Sequence, residues 1–265
     1  MDPTPPHPRK RFGQHFLHDP RIIGAIIEAI GPGPDDSLVE IGPGRGALTG
    51  PLLERVRCLH VVEIDRDLAR DLRALEPDPA RLVVHAADAL RFDFTAIAPE
   101  TLRIAGNLPY NISTPLLFHL LAQGAAIADM HFTLQKEVVD RMVAAPGSRT
   151  YGRLSIMLQA ACRVERLFDI GRGAFQPPPR VDSSFVRLVP GRMIDIDDPA
   201  CFEGIVRQAF TRRRKTLRNA LAGLAAAGDF AAAGIDHGAR PETLSPADFA
   251  RLANRIAGRG GSAAI

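Results

Sequence analysis

The stretch SLVEIGPGRGALTGPLLERVR, Ser37 to Arg57, reads as one strand–turn–helix unit. Leu38, Val39 and Ile41 make a short buried strand, and Gly42, Gly44 and Gly46 make a turn. A helix is expected from Ala47 to Arg57. The same grammar repeats outward. Cys58–Glu63 is a second strand with a helix behind it through Leu75, and Arg81–His85 is a third strand leading to Asp88. Thr101–Gly106 is a fourth strand that runs straight into Asn107-Leu108-Pro109-Tyr110. Helices are expected at Ser113–Leu121, Lys136–Ala144 and Leu154–Ala161, and a fifth strand at Met130–Leu134. On the N-terminal side, Asp19 is placed to cap a helix over Arg21–Ile30, with Pro20 at its first position and Gly31-Pro32-Gly33-Pro34 stopping it. Strands alternating with helices indicate an α/β domain built on a parallel sheet.

The pattern changes after Pro177-Pro178-Pro179, a stiff extended linker. Ser183–Val189 alternates enough to be a late strand, expected at a sheet edge. From Pro199 onward no strand signal remains. Val206, Phe210, Leu217, Leu221 and Leu224 keep helical spacing, and Pro246–Ile256 is another helix. A boundary near Gly191 therefore divides residues 1–190 from a small all-helical domain, 191–265. Residues 1–9 read as a disordered arm.

The chain has 265 residues, 46% apolar and 24% charged, with a net charge of +3. These figures describe an ordinary globular protein and permit a polyanionic partner without requiring one. Cys58, Cys162 and Cys201 lie far apart and lack zinc-ligand spacing, so they read as reduced thiols of a cytosolic protein, with no metal site. No apolar run approaches the length of a membrane span, and the proline-rich N-terminus is no secretory signal.

In an open α/β sheet, ligands bind beyond the carboxyl ends of the strands. Gly42, Glu63, Asp88 and Asn107 fall there in order. The glycines let the backbone approach a ligand closely, Glu63 can accept both hydroxyls of a ribose, and Asp88 can accept from an adenine amino group. Spacing alone leaves three readings open: an ordinary tight turn, a NAD site (Gly42, Gly44 and Ala47 satisfy a loose GxGxxA) and an S-adenosylmethionine site. Glu63 and Asp88 could equally be helix caps.

Asn107–Tyr110 favours the third. The amino nitrogen of adenine is a poor nucleophile, because its lone pair is delocalised into the ring. Acceptors on both of its N–H groups localise that pair. The Asn107 side-chain oxygen and the Leu108 carbonyl are suitable acceptors. Pro109 stiffens the turn and Tyr110 can stack on the base. No strong base is needed, since the proton becomes acidic once the nitrogen carries a methyl. Catalysis is then mostly positioning.

Seven stretches carry a resemblance: KRFGQHFL (Lys10–Leu17), EIGPGRGALT (Glu40–Thr49), VEID (Val62–Asp65), GNLPYNISTPLLFHL (Gly106–Leu120), LQKEVVDRM (Leu134–Met142), FQPPPRVDSSFVRL (Phe175–Leu188) and RRRKTLRN (Arg212–Asn219). In these, along nearly its whole length, the chain resembles the KsgA/RsmA group of ribosomal RNA adenine dimethyltransferases. The resemblance implies a Rossmann-like S-adenosylmethionine-dependent methyltransferase with a small C-terminal helical domain that binds rRNA. It implies N6,N6-dimethylation of two adjacent adenines near the 3′ end of 16S rRNA, in a late pre-30S particle. The protein is expected to be a cytoplasmic monomer with no membrane or DNA partner. Carried over residue by residue, the cofactor contacts are His15, Leu17, Gly42, Glu63, Asp88 and Asn107. His15 stands where many members have Asn, and its imidazole can still bond the cofactor's carboxylate end. The resemblance also sets Phe175 opposite Tyr110, where two rings would sandwich a flipped adenine. The alternative is a phenylalanine plugging the seam between sheet and helical domain.

Arg207, Arg212, Arg213, Arg214, Lys215 and Arg218 form the densest basic cluster, with no acid between its ends. Arg213 falls on the apolar seam between Phe210 and Leu217. A helix break there is expected, with Thr211 capping a new helix whose N-terminus would hold phosphate. Arg9, Lys10 and Arg11 form a second cluster. Either cluster alone could be a solvated face; together they point to phosphate contact. The competing assignments are an Erm-type large-subunit methylase, a non-catalytic assembly factor on the same fold, and a NAD oxidoreductase. RRRKTLRN and FQPPPRVDS argue against the first, the intact glycine turn and NLPY against the second, and the lack of a hydride-transfer constellation against the third.

Overall fold

The computed structural model describes residues 14–97, 101–123 and 127–260. The chain folds as two compact units: Met1–Val139 with Glu165–Pro190, and Asp140–Val164 with Gly191–Ile265. The sequence reading puts Leu154–Ala161 in the first domain. By its packing it belongs to the second, because Tyr151, Ile156 and Ala160 join that unit's apolar cluster.

The first unit is a mixed sheet. Its strands are β2 (Leu38–Ile41), β3 (Leu59–Glu63), β4 (Leu82–Ala86), β5 (Leu102–Asn107), β6 (Ile127–Gln135), β7 (Cys162–Ile170) and β9 (Ser183–Pro190), in spatial order β4-β3-β2-β5-β6-β9-β7. Strands β2 to β6 pair in parallel, and β9 runs antiparallel to β6. All four residues of β2 are buried, as a central strand covered on both faces requires. Chain order reverses about β2, which pairs with β3 on one side and β5 on the other. The crevice beyond their carboxyl ends is therefore the sheet's topological switch point. Gly106 lets β5 close on β2 there, since a Cβ on it would stand 2.3 Å from the Ile41 carbonyl oxygen.

Helix α1 (Pro20–Ile30) begins where expected. The Asp19 carboxylate accepts from the Arg21 N–H, and Gly31 ends the helix at φ +56°. Helix α2 is shorter than expected, Thr49–Leu53, because the turn continues through Gly46 at φ +81°. Helix α3 (Arg66–Leu75) is capped by Asp65, and α4 (Ser113–Ala122) lies between β5 and β6 in the chain. The Asp65 cap leaves the neighbouring Glu63 carboxylate for other work.

Strand β9 is not an edge. Strand β7 pairs outside it, and nothing in CRVERLFDI announces a strand, because only its first and last residues are buried. A two-stranded sheet is a further departure from expectation. In it β1 (Phe16–Leu17) pairs antiparallel with β8 (Phe175–Gln176). A partly buried ion network centred on Asp129 ties strands of the main sheet together. Arg103 binds Asp36 at 2.7 Å and Asp129 at 2.9 Å, and Arg187 reaches the same Asp129 at 3.1 Å. Burial alone would raise the Asp129 pKa; the Arg103 hydrogen bond and the charges of His131, Arg103 and Arg187 together outweigh it, and the carboxyl titrates below its ordinary value.

The second unit is helical: α5 (Lys136–Met142) leads into it, followed by α6 (Arg153–Ala161), α7 (Pro199–Thr211), α8 (Leu217–Ala220), α9 (Ala227–Ala232) and α10 (Pro246–Gly260). Phe202, Phe230, Phe249 and Tyr151 fill its core. The Tyr151 hydroxyl, buried with them, donates to the Leu244 carbonyl at 2.9 Å.

Candidate active site

The strand ends that the sequence singled out line one cavity. Gly42, Gly44, Glu63, Asp88, Asn107, Leu108, Pro109 and Tyr110 all face it, with His15 and Leu17 contributed by the segment through β1. The glycine turn takes the left-handed backbone its sequence required, φ +66° at Gly42 and +59° at Gly44. It is pinned from below. The Glu63 carboxylate accepts from the Gly44 N–H at 3.2 Å and the Asp65 N–H at 2.9 Å. Burial raises the Glu63 pKa despite those bonds. Two backbone donors occupy one lone pair on each oxygen, so a pair of ribose hydroxyls can take the others. Asp88 closes its own turn, accepting from the Leu90 N–H at 3.0 Å, and still lines the cavity.

Asn107 ends β5 beside the glycine turn, with its carbonyl oxygen 3.9 Å from where a Cβ on Gly42 would stand. Its Nδ2 donates to the His15 carbonyl at 2.9 Å. The Leu108 N–H donates to the Thr133 carbonyl of β6 at 3.3 Å, which fixes the turn to the sheet. The Tyr110 hydroxyl and the Ser183 hydroxyl lie 2.8 Å apart, and burial raises the Tyr110 pKa. The ring is thus held at its hydroxyl, is half-buried, and lies stacked against the His15 imidazole.

Phe175 is not part of this site. It is 2% exposed, sits in β8 and packs into the first unit's apolar core with Leu17 and Ala174; it does not line the cavity. The apolar cluster it joins is made of first-unit residues. Pairing with β1 turns its side chain inward, a pairing that the proline run after it does not reveal.

One cavity residue carries a signal that the sequence reading passes over. Glu40 is a carboxyl in the middle of a fully buried strand, 1% exposed. It accepts from the Thr49 hydroxyl at 2.7 Å. Burial, with the nearby Glu63 charge adding to it against the Thr49 hydrogen bond, pushes its pKa up to about 7. An ionisable residue interrupting a continuous apolar strand is the available clue.

The basic cluster lies on the turn between α7 and α8. Arg212, Arg213, Arg214 and Lys215 line a hollow with Phe210, Thr211 and Asn219; Arg207 and Arg218 are exposed nearby but do not line it. The helix does break around Arg213, but the new helix starts only after Thr216, whose side chain makes no capping bond. The Thr211 hydroxyl instead donates back to the Arg207 carbonyl at 2.8 Å. Arg213 remains partly exposed, 3.7 Å from Glu242 and bonded to the Arg149 carbonyl at 3.2 Å. Its apolar-seam position is thus reconciled by an internal pairing. Arg9, Lys10 and Arg11, with the arm before them, lie outside the described residues.

A family model described as ribosomal RNA adenine dimethylase matches residues 7–258. The ribosomal RNA small subunit methyltransferase A of Chromobacterium violaceum is 54% identical over 255 residues, 96% of this chain and 97% of its own. That of Alcanivorax borkumensis is 56% identical over 250 residues, 93% and 89% of the two chains. Among solved structures, a dimethyladenosine transferase from Plasmodium falciparum has a TM-score of 0.81 at 26% identity, covering 93% of this chain and 98% of its own. The 23S rRNA methyltransferase ErmE has a TM-score of 0.69 at 27% identity, with 91% and 99% covered.

Proposed function

This chain belongs to the ribosomal RNA adenine dimethylase family, and on that premise we propose that it modifies two adjacent adenines near the 3′ end of 16S rRNA in a late pre-30S particle. The enzyme is an S-adenosylmethionine-dependent rRNA adenine dimethyltransferase on an α/β, Rossmann-like fold. The observation that carries the reading is the shared cavity: the Asn107 amide lies beside the glycine turn that Glu63 pins. Small-subunit methyltransferases at 54% and 56% identity, against 27% for ErmE, support the small-subunit substrate over the large.

The donor set fits the cofactor. Glu63 offers lone pairs to ribose hydroxyls, Asp88 an acceptor to the adenine amino group, and the left-handed glycines a backbone without side chains in the way. Leu17 closes the cavity from β1, and the second ring nitrogen of His15 is the one left to bond the methionine carboxylate. S-adenosylmethionine supplies a methyl group on a sulfonium, an electrophile that needs no further activation. The chain's own residues do the remaining work. The Asn107 Oδ1 and the Leu108 carbonyl accept from the target amino group and aim its lone pair, Pro109 fixes the turn, and Tyr110 replaces the stacking lost on flipping. The proton leaves after the new N–C bond forms, so no buried base is required. Arg212, Arg214 and Lys215, with Arg207 and Arg218, hold rRNA phosphates and set orientation rather than sequence. The enzyme works as a cytoplasmic monomer. No helix among the described residues is long and apolar enough to cross a membrane.

Incubation with methyl-labelled cofactor and, in parallel, small-subunit and large-subunit particles from methylase-deficient strains tests the reading. Label in paired dimethyladenines near the 16S 3′ end is expected. Label only in large-subunit rRNA would reject the proposal in favour of the Erm-type activity.

A further inference from the structure

Among the contacts that the reaction scheme leaves unused, one touches its central residue. The Asn107 Nδ2 is 2.9 Å from the His15 carbonyl oxygen. A carbonyl can only accept, so the atom facing it is the amide nitrogen, and Oδ1 is left as the opposite terminal atom of the amide. That is the orientation in which Asn107 can accept from an amino group. The terminal torsion of asparagine is otherwise broad and nearly two-fold. With nothing to bias it, the amide would present N–H to the base about as readily as oxygen, and N–H facing N–H repels.

The His15 carbonyl is itself held. The His15 Nδ1 is 2.8 Å from the Pro177 carbonyl oxygen, which fixes Nδ1 as the protonated nitrogen. The ring stacks on Tyr110, with centroids 5.7 Å apart and planes 29° apart. The next two residues pair with β8, Phe16 opposite Gln176 and Leu17 opposite Phe175. Phe16 also carries the Arg45 guanidinium 4.5 Å above its ring. A residue 92 positions upstream of Asn107 is thus brought to its side chain and kept there by its own imidazole and by the strand that follows it.

We propose that His15 is a positioning residue for methyl transfer: its imidazole anchors its own carbonyl on Pro177, and that carbonyl selects the productive orientation of the Asn107 amide. The inference rests on the reading of Asn107 as the acceptor of the base amino group. It also separates two jobs on one ring. Nδ1 serves the amide through Pro177, and Nε2 remains for the cofactor.

Asparagine at position 15 would distinguish these jobs. Its Nδ2, like the histidine Nδ1, is bonded directly to Cγ and can donate to Pro177, but it offers nothing at the place of Nε2. Transfer to small-subunit particles at saturating S-adenosylmethionine should be compared for wild type, His15→Ala, His15→Asn and Asn107→Ala. Each variant's cofactor affinity is measured by calorimetry and its folding by thermal melting. His15→Ala is expected to lose about tenfold or more in kcat, and His15→Asn to stay within about threefold of wild type, while both bind cofactor more weakly. Wild-type kcat in a folded His15→Ala, or an equal loss in both variants, overturns the proposal. Full transfer by Asn107→Ala would instead sink the reading of Asn107, so the two failures are distinguishable.

Discussion

The Glu63 carboxylate and the Gly44 N–H meet at 3.2 Å across the glycine turn, so one acid both shapes the turn and faces the cavity. Glu63→Gln keeps an acceptor for one backbone donor but loses the charge and the second acceptor. It is expected to weaken S-adenosylmethionine binding by at least about tenfold, the worth of roughly one charge-assisted hydrogen bond, with little change in melting temperature. Calorimetry with cofactor checks this; wild-type affinity would remove Glu63 from the site.

Asn107→Ala should abolish measurable dimethyladenine formation and leave particle binding largely intact. The amide acts on the base nitrogen, whereas affinity for the particle resides in phosphate contacts elsewhere. Some loss of cofactor affinity is expected as well, since Asn107 lines the same cavity. Transfer at more than a small fraction of the wild-type rate would end the assignment.

Replacing Arg212, Arg214 and Lys215 with glutamine should weaken particle binding and flatten its salt dependence. Each lost phosphate contact removes about 0.7–0.9 from the slope of log affinity against log salt. Arg213 belongs in a separate variant. It pairs internally with Glu242 and Arg149, so Arg213→Gln should lower the melting temperature more than it changes the salt slope.

Phe175→Ala is expected to destabilise the first unit by roughly 3–5 kcal/mol, the usual cost of emptying a buried aromatic site. The melting temperature should drop by several degrees, and activity should fall only as folded protein is lost. A stable Phe175→Ala enzyme with slow transfer would return the ring to the substrate pocket.

Two buried groups give stability opposite dependences on pH. Glu40 titrates at about 7 in the folded chain against an ordinary 4.5. The native state therefore holds this proton more tightly, and the stability involved is full below 4.5 and lost as pH rises through 7. His131 is 1% exposed, and neither ring nitrogen has a hydrogen-bond partner among the described residues. Burial depresses its pKa from 6.5 to about 4, so its contribution is full above 6.5 and lost as pH falls towards 4. The two slopes oppose each other where the windows overlap. Glu40→Gln keeps an acceptor for Thr49 and should unmask the histidine, so its stability relative to wild type rises from pH 5 to pH 8, by on the order of 3 kcal/mol. Thermal melts across that range read the difference directly; a constant difference would mean that Glu40 stays ionised.

What the sequence makes legible is whatever local physics writes locally. Asp19 and Pro20 announce a helix, Gly42 and Gly44 a left-handed turn, and the apolar runs before Glu63 and Asn107 two buried strands. What it hides depends on partners distant along the chain. Strand β7 buries only its two end residues, and it pairs with β9 at the sheet edge. The two residues of β1 are a strand only because Phe175 and Gln176 lie opposite, and that pairing buries Phe175 and brings His15 to Asn107. The start of the new helix at Leu217 escapes the sequence reading because the arginine turn before it runs longer than the broken apolar seam suggests.

The division of the chain also constrains how it can be made and cut. Tyr151 and Ile156 leave the ribosome before β9, yet their apolar partners Phe202, Phe230 and Phe249 arrive only with the last third of the chain. During synthesis that segment must wait, uncovered, while the sheet is completed by strands on either side of it in sequence. A stop codon after Pro190 would not yield a trimmed catalytic core: it would leave 140–164 permanently without the helices that bury it, a protein with an exposed apolar flank and a tendency to aggregate. The helical unit is in this sense no detachable appendix, and only a cut that also removed or rewrote 140–164 could separate the two.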